Sequence, residues 1–306
     1  MTALESSPLR QALRAWYRRR REAYPWRRAG IDPYGVLVSE VMLQQTQAAR
    51  AASAFEGFLR RFPDLSSLAA ASRGDVIRAW AGLGYHRRAV ALHEAARTIV
   101  RVHGGMVPRE PRALQRLPGV GPYTAAAVAA IAFNRPVVAM DVNVRRVTSR
   151  VVLGREPEDG NDPQIAVAAG LLLDPRGPGT WNQAMMDLGR EVCRPAPRCE
   201  VCPFERSCRF RGAGRPGRVT AARTQTPFEG SNRQVRGRIV AALRVRPSAG
   251  IAGLVVATGI DLDRVEVAAA GLVATGSSSA VAARSGSRGD APLRAARKRF
   301  RVEPFG

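Results

Sequence analysis

The stretch "RLPGVGPYTAAAV", residues 116–128, places two glycines around a valine and continues into a proline, a tyrosine and an alanine-rich run. Glycine tolerates positive φ and leaves no Cβ in the way of a ligand, and proline is favoured in the first turn of a helix. Together with the preceding "PRALQR", the stretch predicts a helix, a tight hairpin and a second helix. Free amides in such a hairpin suit a phosphate oxygen, although an ordinary connection between two helices has the same pattern.

The charge of the chain favours the phosphate interpretation. The 306 residues carry a formal net charge of +23, and Lys298 is the only lysine among the 48 basic residues. A composition bias toward arginine explains the shortage of lysine, but not the excess of bases over the 25 acidic residues. A field of this sign attracts polyanions, so nucleic acid is the expected partner.

Apolar residues are spaced for helices rather than strands from the start of the chain to about residue 212. Leu9, Leu13 and Trp16 illustrate the pattern, which predicts an all-α fold. No apolar run is long enough for a signal peptide or a membrane span. We therefore expect a cytoplasmic, nucleoid-associated protein that has no membrane partner.

The cysteines form one cluster, the sixteen-residue segment "CRPAPRCEVCPFERSC" at 193–208. Crowding of this kind in a reducing compartment indicates metal binding rather than disulfides. Zinc sites usually use two Cys-x₂-Cys pairs, and only Cys199 and Cys202 form one here. A single loop around a [4Fe–4S] cluster is therefore the favoured interpretation, with zinc as the alternative. The expected ligands are Cys193, Cys199, Cys202 and Cys208.

The composition changes after Cys208. Residues 213–234 are rich in glycine, arginine, threonine and proline, which predicts a linker. A short helical pattern follows at Val235, Ile239, Val240 and Leu243, but from about residue 245 the chain is rich in alanine, glycine and serine. We expect residues 235–306 to form a small or disordered C-terminal extension, because they lack the bulk for a robust core.

Seven stretches together resemble the helix-hairpin-helix DNA glycosylases of the endonuclease III superfamily, and more closely the A/G-specific adenine DNA glycosylases of the MutY family. They are the cysteine loop and "YPWRR", "DPYGVLVSEVMLQQTQ", "WAGLGYHRRA", "LPGVGPYTAAAV", "MDVNVRRV" and "WNQAMMDLG". The resemblance covers residues from about 10 to 210. It implies a six-helix barrel subdomain with the hairpin at 29–134, and an iron–sulfur cluster subdomain from 1–28 and 135–212. Residues 226–306 do not resemble the MutT-like domain with which the family commonly ends.

The activity that the resemblance implies is that of a monofunctional base excision repair enzyme. Such an enzyme hydrolyses the N-glycosidic bond of adenine paired with 8-oxoguanine or guanine in duplex DNA. A reaction through a sugar cation suits two carboxylates, one that moves protons and one that faces the positive charge. We expect a monomer with a [4Fe–4S] cofactor.

Glu40 and Asp141 are the two candidate carboxylates. Apolar neighbours on the helix of Glu40 should raise its pKa, and the resemblance makes Glu40 the residue that protonates adenine. The sequence alone predicts Asp141 as the N-cap of "VNVRRV". The resemblance adds that Asp141 stabilises the sugar cation, with Asn143 as its polar support. Without the family, Glu40 would be interpreted as an ordinary solvated or paired side chain.

Tyr123 stands where bifunctional relatives carry a lysine, whose amine forms a Schiff base that leads to strand cleavage. A tyrosine cannot form that imine, although its hydroxyl can bond Asp141 or the sugar, and a purely structural aromatic stays an alternative. The resemblance assigns the adenine pocket to Trp26, Arg27 and Asp187. It assigns DNA contacts to Leu43, Gln45, Tyr85, Gly119, Val120 and Gly121.

Two other functions compete with adenine excision. A thymine or uracil mismatch glycosylase of the same superfamily can also carry a tyrosine at the hairpin, but lacks a glutamate matching Glu40. A non-enzymatic iron–sulfur DNA-binding protein would not need Glu40 and Asp141 together. Activity after substitution of each carboxylate therefore separates the three functions.

Overall fold

The computed structural model describes residues 6–80, 82–157, 162–214, 227–245, 249–274, 279–282 and 300–303. The helices in these ranges are α1 (Ser7–Arg20), α2 (Pro33–Leu43), α3 (Ala48–Arg61), α4 (Leu65–Ala70), α5 (Arg73–Ala79), α6 (Arg87–His103), α7 (Pro111–Leu114), α8 (Pro122–Phe133), α9 (Val142–Thr148), α10 (Pro163–Leu172), α11 (Pro178–Glu191), α12 (Arg209–Gly212), α13 (Asn232–Val245), α14 (Ile251–Thr258) and α15 (Leu262–Ala274). A π-helical turn at Ser149–Leu153 extends α9, and 3₁₀ turns lie at Pro25–Arg27, Cys199–Val201 and Glu205–Ser207. The predicted all-α fold is confirmed.

Two compact units contain the described residues. One falls within residues 1–56 and 98–223, and the other within 57–97 and 224–306. The subdomain boundaries implied by the resemblance stay a prediction. Most of the predicted linker, residues 215–226, lies outside the described residues.

Local chemistry sets the start of the helices that carry the candidate site. The Asp32 side chain accepts from the amide of Gly35 at the start of α2, and Pro33 occupies its first turn. Asp141 caps α9 in the same way, so the predicted N-cap is confirmed. Gly121 caps α8 and Pro122 begins it, as expected for a residue whose missing N–H would have no partner there.

The core of the first unit joins α1, α9, α10 and α11. Leu13, Val147, Leu172, Trp181 and Met185 are buried there. Asn182 is also fully buried, and hydrogen bonds satisfy its side chain. It accepts from the Ala139 amide at 2.8 Å and donates to the Val137 carbonyl at 2.9 Å. These bonds fix the segment that leads to Asp141.

In the second unit, the residues of α3 to α6 that fall within 57–97 bury an aromatic group, and α13 to α15 form an apolar cluster of their own. Phe58 packs edge-on against Phe62 and Trp80. The cluster of α13 to α15 contains, among others, Val235, Ile239, Leu243, Leu254, Val265 and Leu272. The helical pattern expected at Val235–Leu243 is thus confirmed.

Residues 249–274 belong to a small helical cluster, which is one of the two outcomes expected for the C-terminal extension. Their alanines and glycines reduce bulk, but valines and leucines at helical spacing still bury one face of α14 and of α15. The strands β1 (Ala249–Gly250), β2 (Ser279–Ala282) and β3 (Phe300–Glu303) pair antiparallel in the order β1–β3–β2. In the described part of the chain, these three strands are the only β structure. Within that part, no helix combines the length and apolarity needed to cross a membrane.

Candidate active site

Glu40 lies on α2, and only 5% of its surface is exposed. Burial, together with a smaller contribution from the neighbouring Asp141, raises the pKa of Glu40 to about 7 against the opposing effects of Tyr123 and Arg27. The expected direction of the shift is therefore found. A carboxyl group with this pKa exists in both protonation states near neutral pH, which suits a group that gives and takes a proton.

Tyr123, in the first turn of α8, donates its hydroxyl hydrogen to Glu40 Oε2 at 3.3 Å, and its oxygen lies 3.6 Å from Met186 Sδ. The partner of this hydroxyl in the protein is thus Glu40 rather than Asp141, which the sequence offered together with the sugar as a possible partner. Because α2 and α8 pack side by side, the first turn of α8 brings the ring to Glu40. Burial and the two nearby carboxylates raise the pKa of Tyr123 well above its ordinary value, so the phenol stays protonated.

Asp141 is held by donors from the start of α9. Its Oδ1 accepts from the amides of Asn143 at 2.9 Å and Val144 at 2.7 Å, and its Oδ2 accepts from Asn143 Nδ2 at 2.8 Å. Burial raises the pKa of Asp141, and these donors lower it. The side chain is thus fixed in one rotamer and sits within electrostatic reach of Glu40.

Arg27 and Asp187 form a buried bidentate ion pair. Arg27 Nη1 and Nη2 donate to the two Asp187 oxygens at 2.7 and 2.9 Å, and the side chains are 7% and 6% exposed. The guanidinium lies over the rings of Tyr17 and Tyr24. Trp26 is buried and stacks on Tyr24 with a centroid distance of 5.0 Å.

The hairpin between α7 and α8 differs in detail from the expectation. Gly119 has φ +75°, but Gly121 is extended with φ −81°. Val120 is buried and its amide donates to the Leu117 carbonyl at 3.1 Å, so this amide serves the turn itself. The amides that can face a ligand are those of Gly119, Gly121 and the first turn of α8.

Residues after α2 meet the hairpin. Gln44 Nε2 donates to the Gly119 carbonyl at 3.3 Å and to Thr124 Oγ1 at 3.1 Å. Gln45, next in sequence, is exposed in the left-handed region with φ +56°, and Leu43 is half-buried. Tyr85 belongs to the second unit; it is 41% exposed with φ +47°.

The four cysteines are free of disulfides and line one small cavity. Apolar residues also line it, including Val147, Leu188, Phe204 and Phe210, as do the charged residues Arg150, Arg198, Glu205 and Arg211. The Phe204 amide donates to Cys202 Sγ at 3.4 Å and Arg150 Nη1 to Cys193 Sγ at 3.6 Å, which are contacts that suit a thiolate. Within the described ranges, no group of three His, Cys, Asp or Glu side chains is placed to hold a single metal ion.

Sequence reasoning missed several residues that support these groups. Arg146 donates to Asn143 Oδ1 and to the Gly189 carbonyl, both at 2.8 Å. Arg190 bonds Asp187 and the Tyr24 hydroxyl. Both arginines lie inside or beside the quoted motifs, but among so many arginines no local pattern distinguishes one that bonds the candidate site.

Known proteins share both the sequence and the fold. Residues 38–162 match the family described as "HhH-GPD superfamily base excision DNA repair protein". The adenine DNA glycosylase of Mycobacterium tuberculosis is 44% identical over 237 residues, which is 76% of this chain and 77% of that protein. The human adenine DNA glycosylase is 44% identical over 218 residues, 68% of this chain and 40% of its own length.

Solved structures give the same fold. A thermostable thymine-DNA glycosylase aligns with a TM-score of 0.63 and 27% identity, covering 68% of this chain and 97% of that one. A non-covalent endonuclease III–DNA complex aligns with a TM-score of 0.57 over 70% of this chain and 98% of that one, at 22% identity. The chain belongs to the adenine DNA glycosylase family of the helix-hairpin-helix base excision repair superfamily.

Proposed function

We propose that this protein hydrolyses the N-glycosidic bond of adenine mispaired with 8-oxoguanine or guanine in duplex DNA. The observation that carries the proposal is the buried Glu40–Tyr123 pair with Asp141 beside it, in a chain of the adenine glycosylase family. A carboxyl group kept half-protonated is what removal of a neutral adenine requires.

Glu40 performs the proton transfers in this mechanism. In its protonated state it donates to a ring nitrogen of adenine, which turns the base into a better leaving group. The resulting carboxylate then accepts a proton from the water that attacks C1′. Tyr123 keeps the Glu40 side chain in place through its hydroxyl.

Asp141 faces the positive charge that develops on the sugar. Its three donors hold it in position before the substrate arrives, so little reorganisation is needed when the charge forms. Asn143 supplies two of these donors and is its positioning residue.

Tyr123 also decides what the enzyme leaves behind. A phenol has no amine to form a Schiff base with C1′, and Lys298, the only lysine of the sequence, is far from the hairpin in sequence. We therefore propose a monofunctional enzyme whose product is an abasic site in an intact strand. Borohydride should trap little protein on DNA; efficient trapping would mean that another amine attacks the sugar.

The proposed DNA contacts come from the hairpin, from the end of α2 and from Tyr85. We propose that the amides of Gly119 and Gly121 bind a phosphate, while the buried Val120 stabilises the turn between them. Leu43 and Gln45 enter the stack vacated by the flipped adenine, and Tyr85 stacks beside the opposite base.

The flipped base occupies a pocket near Trp26, Arg27 and Asp187. The net charge of +23 supports phosphate contacts.

The cysteine cavity is proposed to hold a [4Fe–4S] cluster. The four thiols suit such a cluster because they surround a common apolar space. The cluster would order the loop between α11 and α12, on which Arg194, Arg198 and Arg206 are exposed. We further propose a monomer associated with the nucleoid; gel filtration with light scattering tests the monomer.

Single-turnover excision on three duplexes tests the proposed function. The duplexes carry A opposite 8-oxoguanine, A opposite guanine, and T opposite guanine. We expect excision of adenine from the first two and none of thymine. Release of thymine alone would favour the mismatch-thymine alternative, for which the 27% identity to a thymine-DNA glycosylase is the supporting observation. Tight binding without excision of any base would favour a non-enzymatic role.

A further inference from the structure

The loop before α6 presents an aromatic ring on a strained backbone. Gly82 and Gly84 have φ of +82° and +68°, and Tyr85 follows with φ +47°. A tyrosine rarely adopts this conformation, which is strained and persists only when the surroundings enforce it. With 41% of its surface exposed, the Tyr85 ring does not offset this strain by burial.

Arg88 is the residue that enforces this loop. It is only 7% exposed, and its Nη2 donates to the carbonyls of Leu83 at 3.2 Å and Gly84 at 3.3 Å. Trp80 Nε1 donates to the same Gly84 carbonyl at 3.2 Å. The guanidinium therefore holds the two peptide groups that immediately precede Tyr85.

The same guanidinium touches two rings. Its central carbon lies 5.5 Å from the centroid of buried Trp80 and 5.5 Å from that of Tyr85. Trp80 is itself fixed by the Phe58 ring. Tyr85 is thus connected through Arg88 to the aromatic core of its unit, while part of its ring stays open to solvent.

A buried arginine is a costly way to stabilise a loop. Burial lowers the pKa of Arg88 to about 10, which reflects the cost of removing the cation from water, and an apolar side chain of similar size would avoid that cost. What the apolar side chain would lack is the fork of donors that fixes the Leu83 and Gly84 carbonyls.

We propose that Arg88 is a positioning residue that holds the Tyr85 ring in one orientation, and thereby sets the preference for 8-oxoguanine over guanine opposite the target adenine. The proposal rests on the proposed function. Its physical basis is that stacking alone is tolerant, since every base has a π face. A ring free to rotate adapts to either purine, whereas a fixed ring favours the purine whose edge and position match it.

A double-mutant cycle tests the proposal on the full-length protein. The variants are Arg88→Met, which keeps volume and removes the donors, Tyr85→Ala, and the double variant. Arg97→Met is the matched control, because Arg97 lies on the same helix, is 60% exposed in its side chain and carries the same charge. Thermal unfolding of each variant monitors the fold, and Arg88→Lys replaces Arg88→Met if the latter does not fold.

The measured quantity is the ratio of dissociation constants for two duplexes, with 8-oxoguanine or guanine opposite a 2′-fluorinated deoxyadenosine. The fluorine prevents excision because it disfavours the sugar cation. We expect Arg88→Met to reduce the wild-type preference about tenfold, the order expected for lost bonds from a charged donor. Arg97→Met should weaken binding to both duplexes equally. In the Tyr85→Ala background, Arg88→Met should change the ratio no further.

The proposal is overturned if Arg88→Met leaves the ratio intact, or lowers it equally with and without Tyr85. A wild-type protein that excises adenine but shows no preference would overturn this proposal and leave the glycosylase function standing. A wild-type protein that excises no adenine would instead refute the proposed function.

Discussion

The region around Glu40 and the C-terminal helices α13 to α15 differ in what they bury. The first encloses a carboxyl group, an ion pair between Arg27 and Asp187, and the amide of Asn182. Among the described residues of 227–274, the buried polar side chain is Thr258, whose hydroxyl donates to the Leu254 carbonyl at 2.7 Å. Both regions form helices with well-buried apolar faces.

This difference indicates where the chemistry of the chain lies. A helical cluster needs no buried charge, because valine, leucine and alanine suffice for its core. Buried charges lower stability unless they are paired and hydrogen-bonded, so a region that keeps several of them does so for a reason other than folding. The five predictions below either sharpen this contrast or break it.

The largest effect is expected for Glu40→Gln. The variant keeps the shape of the side chain but cannot move a proton, so single-turnover excision should fall roughly 10⁴-fold, the upper range for a lost general acid. Binding of the mispaired duplex should persist. Glu56→Gln is the control, because Glu56 forms an exposed pair with Arg28; a rate for Glu40→Gln equal to that of this control would remove Glu40 from the mechanism.

The next effect concerns stability. Asp187→Asn leaves the buried Arg27 with a neutral partner, and we expect it to lower the free energy of unfolding by roughly 3–5 kcal/mol. Glu56→Gln removes an exposed pair and should cost less than about 1 kcal/mol. Urea unfolding of both variants measures the difference. Equal losses of unfolding free energy would show that the buried pair contributes no more to stability than an exposed pair.

A third effect depends on pH. The folded-state pKa of Glu40 is raised from 4.5 to about 7, so the folded protein binds this proton more tightly than the unfolded chain does. The wild type therefore loses stability from this group as the pH rises from about 4.5 to 7, by at most about 3 kcal/mol. Glu40→Gln should be more stable than wild type above pH 7, and this advantage should vanish toward pH 4.5. A difference that is constant across this range would contradict the buried, titrating carboxyl.

Tyr123→Phe should have a smaller effect. The hydroxyl lowers the pKa of Glu40 by donating to it, so its loss should move the alkaline limb of the excision rate upward by up to about one pH unit. The rate at pH 7 should change by less than about tenfold. Single-turnover rates from pH 5 to 9 measure the shift, and an unmoved limb would mean that Glu40 does not set it.

The smallest effect is expected from the C-terminal region. Truncation after about residue 225 should leave excision at saturating enzyme within roughly twofold of the full chain, with modestly weaker binding and a shallower salt dependence because fewer phosphates are neutralised. Excision and binding of both mispaired duplexes are measured at two salt concentrations. A selective loss on the 8-oxoguanine duplex would mean that this region recognises the lesion.

Much of the fold follows from local patterns. Helix α2 begins with a proline that follows an aspartate, α9 begins after Asp141, and α13 carries its apolar residues at helical spacing. Each was predictable because capping and periodicity act over a few residues. For α14 and α15 the sequence left a small or a disordered extension open, because composition alone does not show whether small helices pack closely.

The candidate site likewise combines residues that the sequence predicts with contacts that it does not. Residue types and their spacing singled out Glu40, Asp141, Tyr123 and the four cysteines, because these groups are chemically distinctive wherever they stand. Their contacts could not be derived: Tyr123 bonds Glu40 across 83 positions of sequence, and Arg27 meets Asp187 across 160. The sequence determined which groups are available and where the helices begin, since these depend on neighbours along the chain. Only the tertiary structure decided which groups lose water and which charges share a space, and those two conditions set the pKa of Glu40 and the orientation of Tyr85.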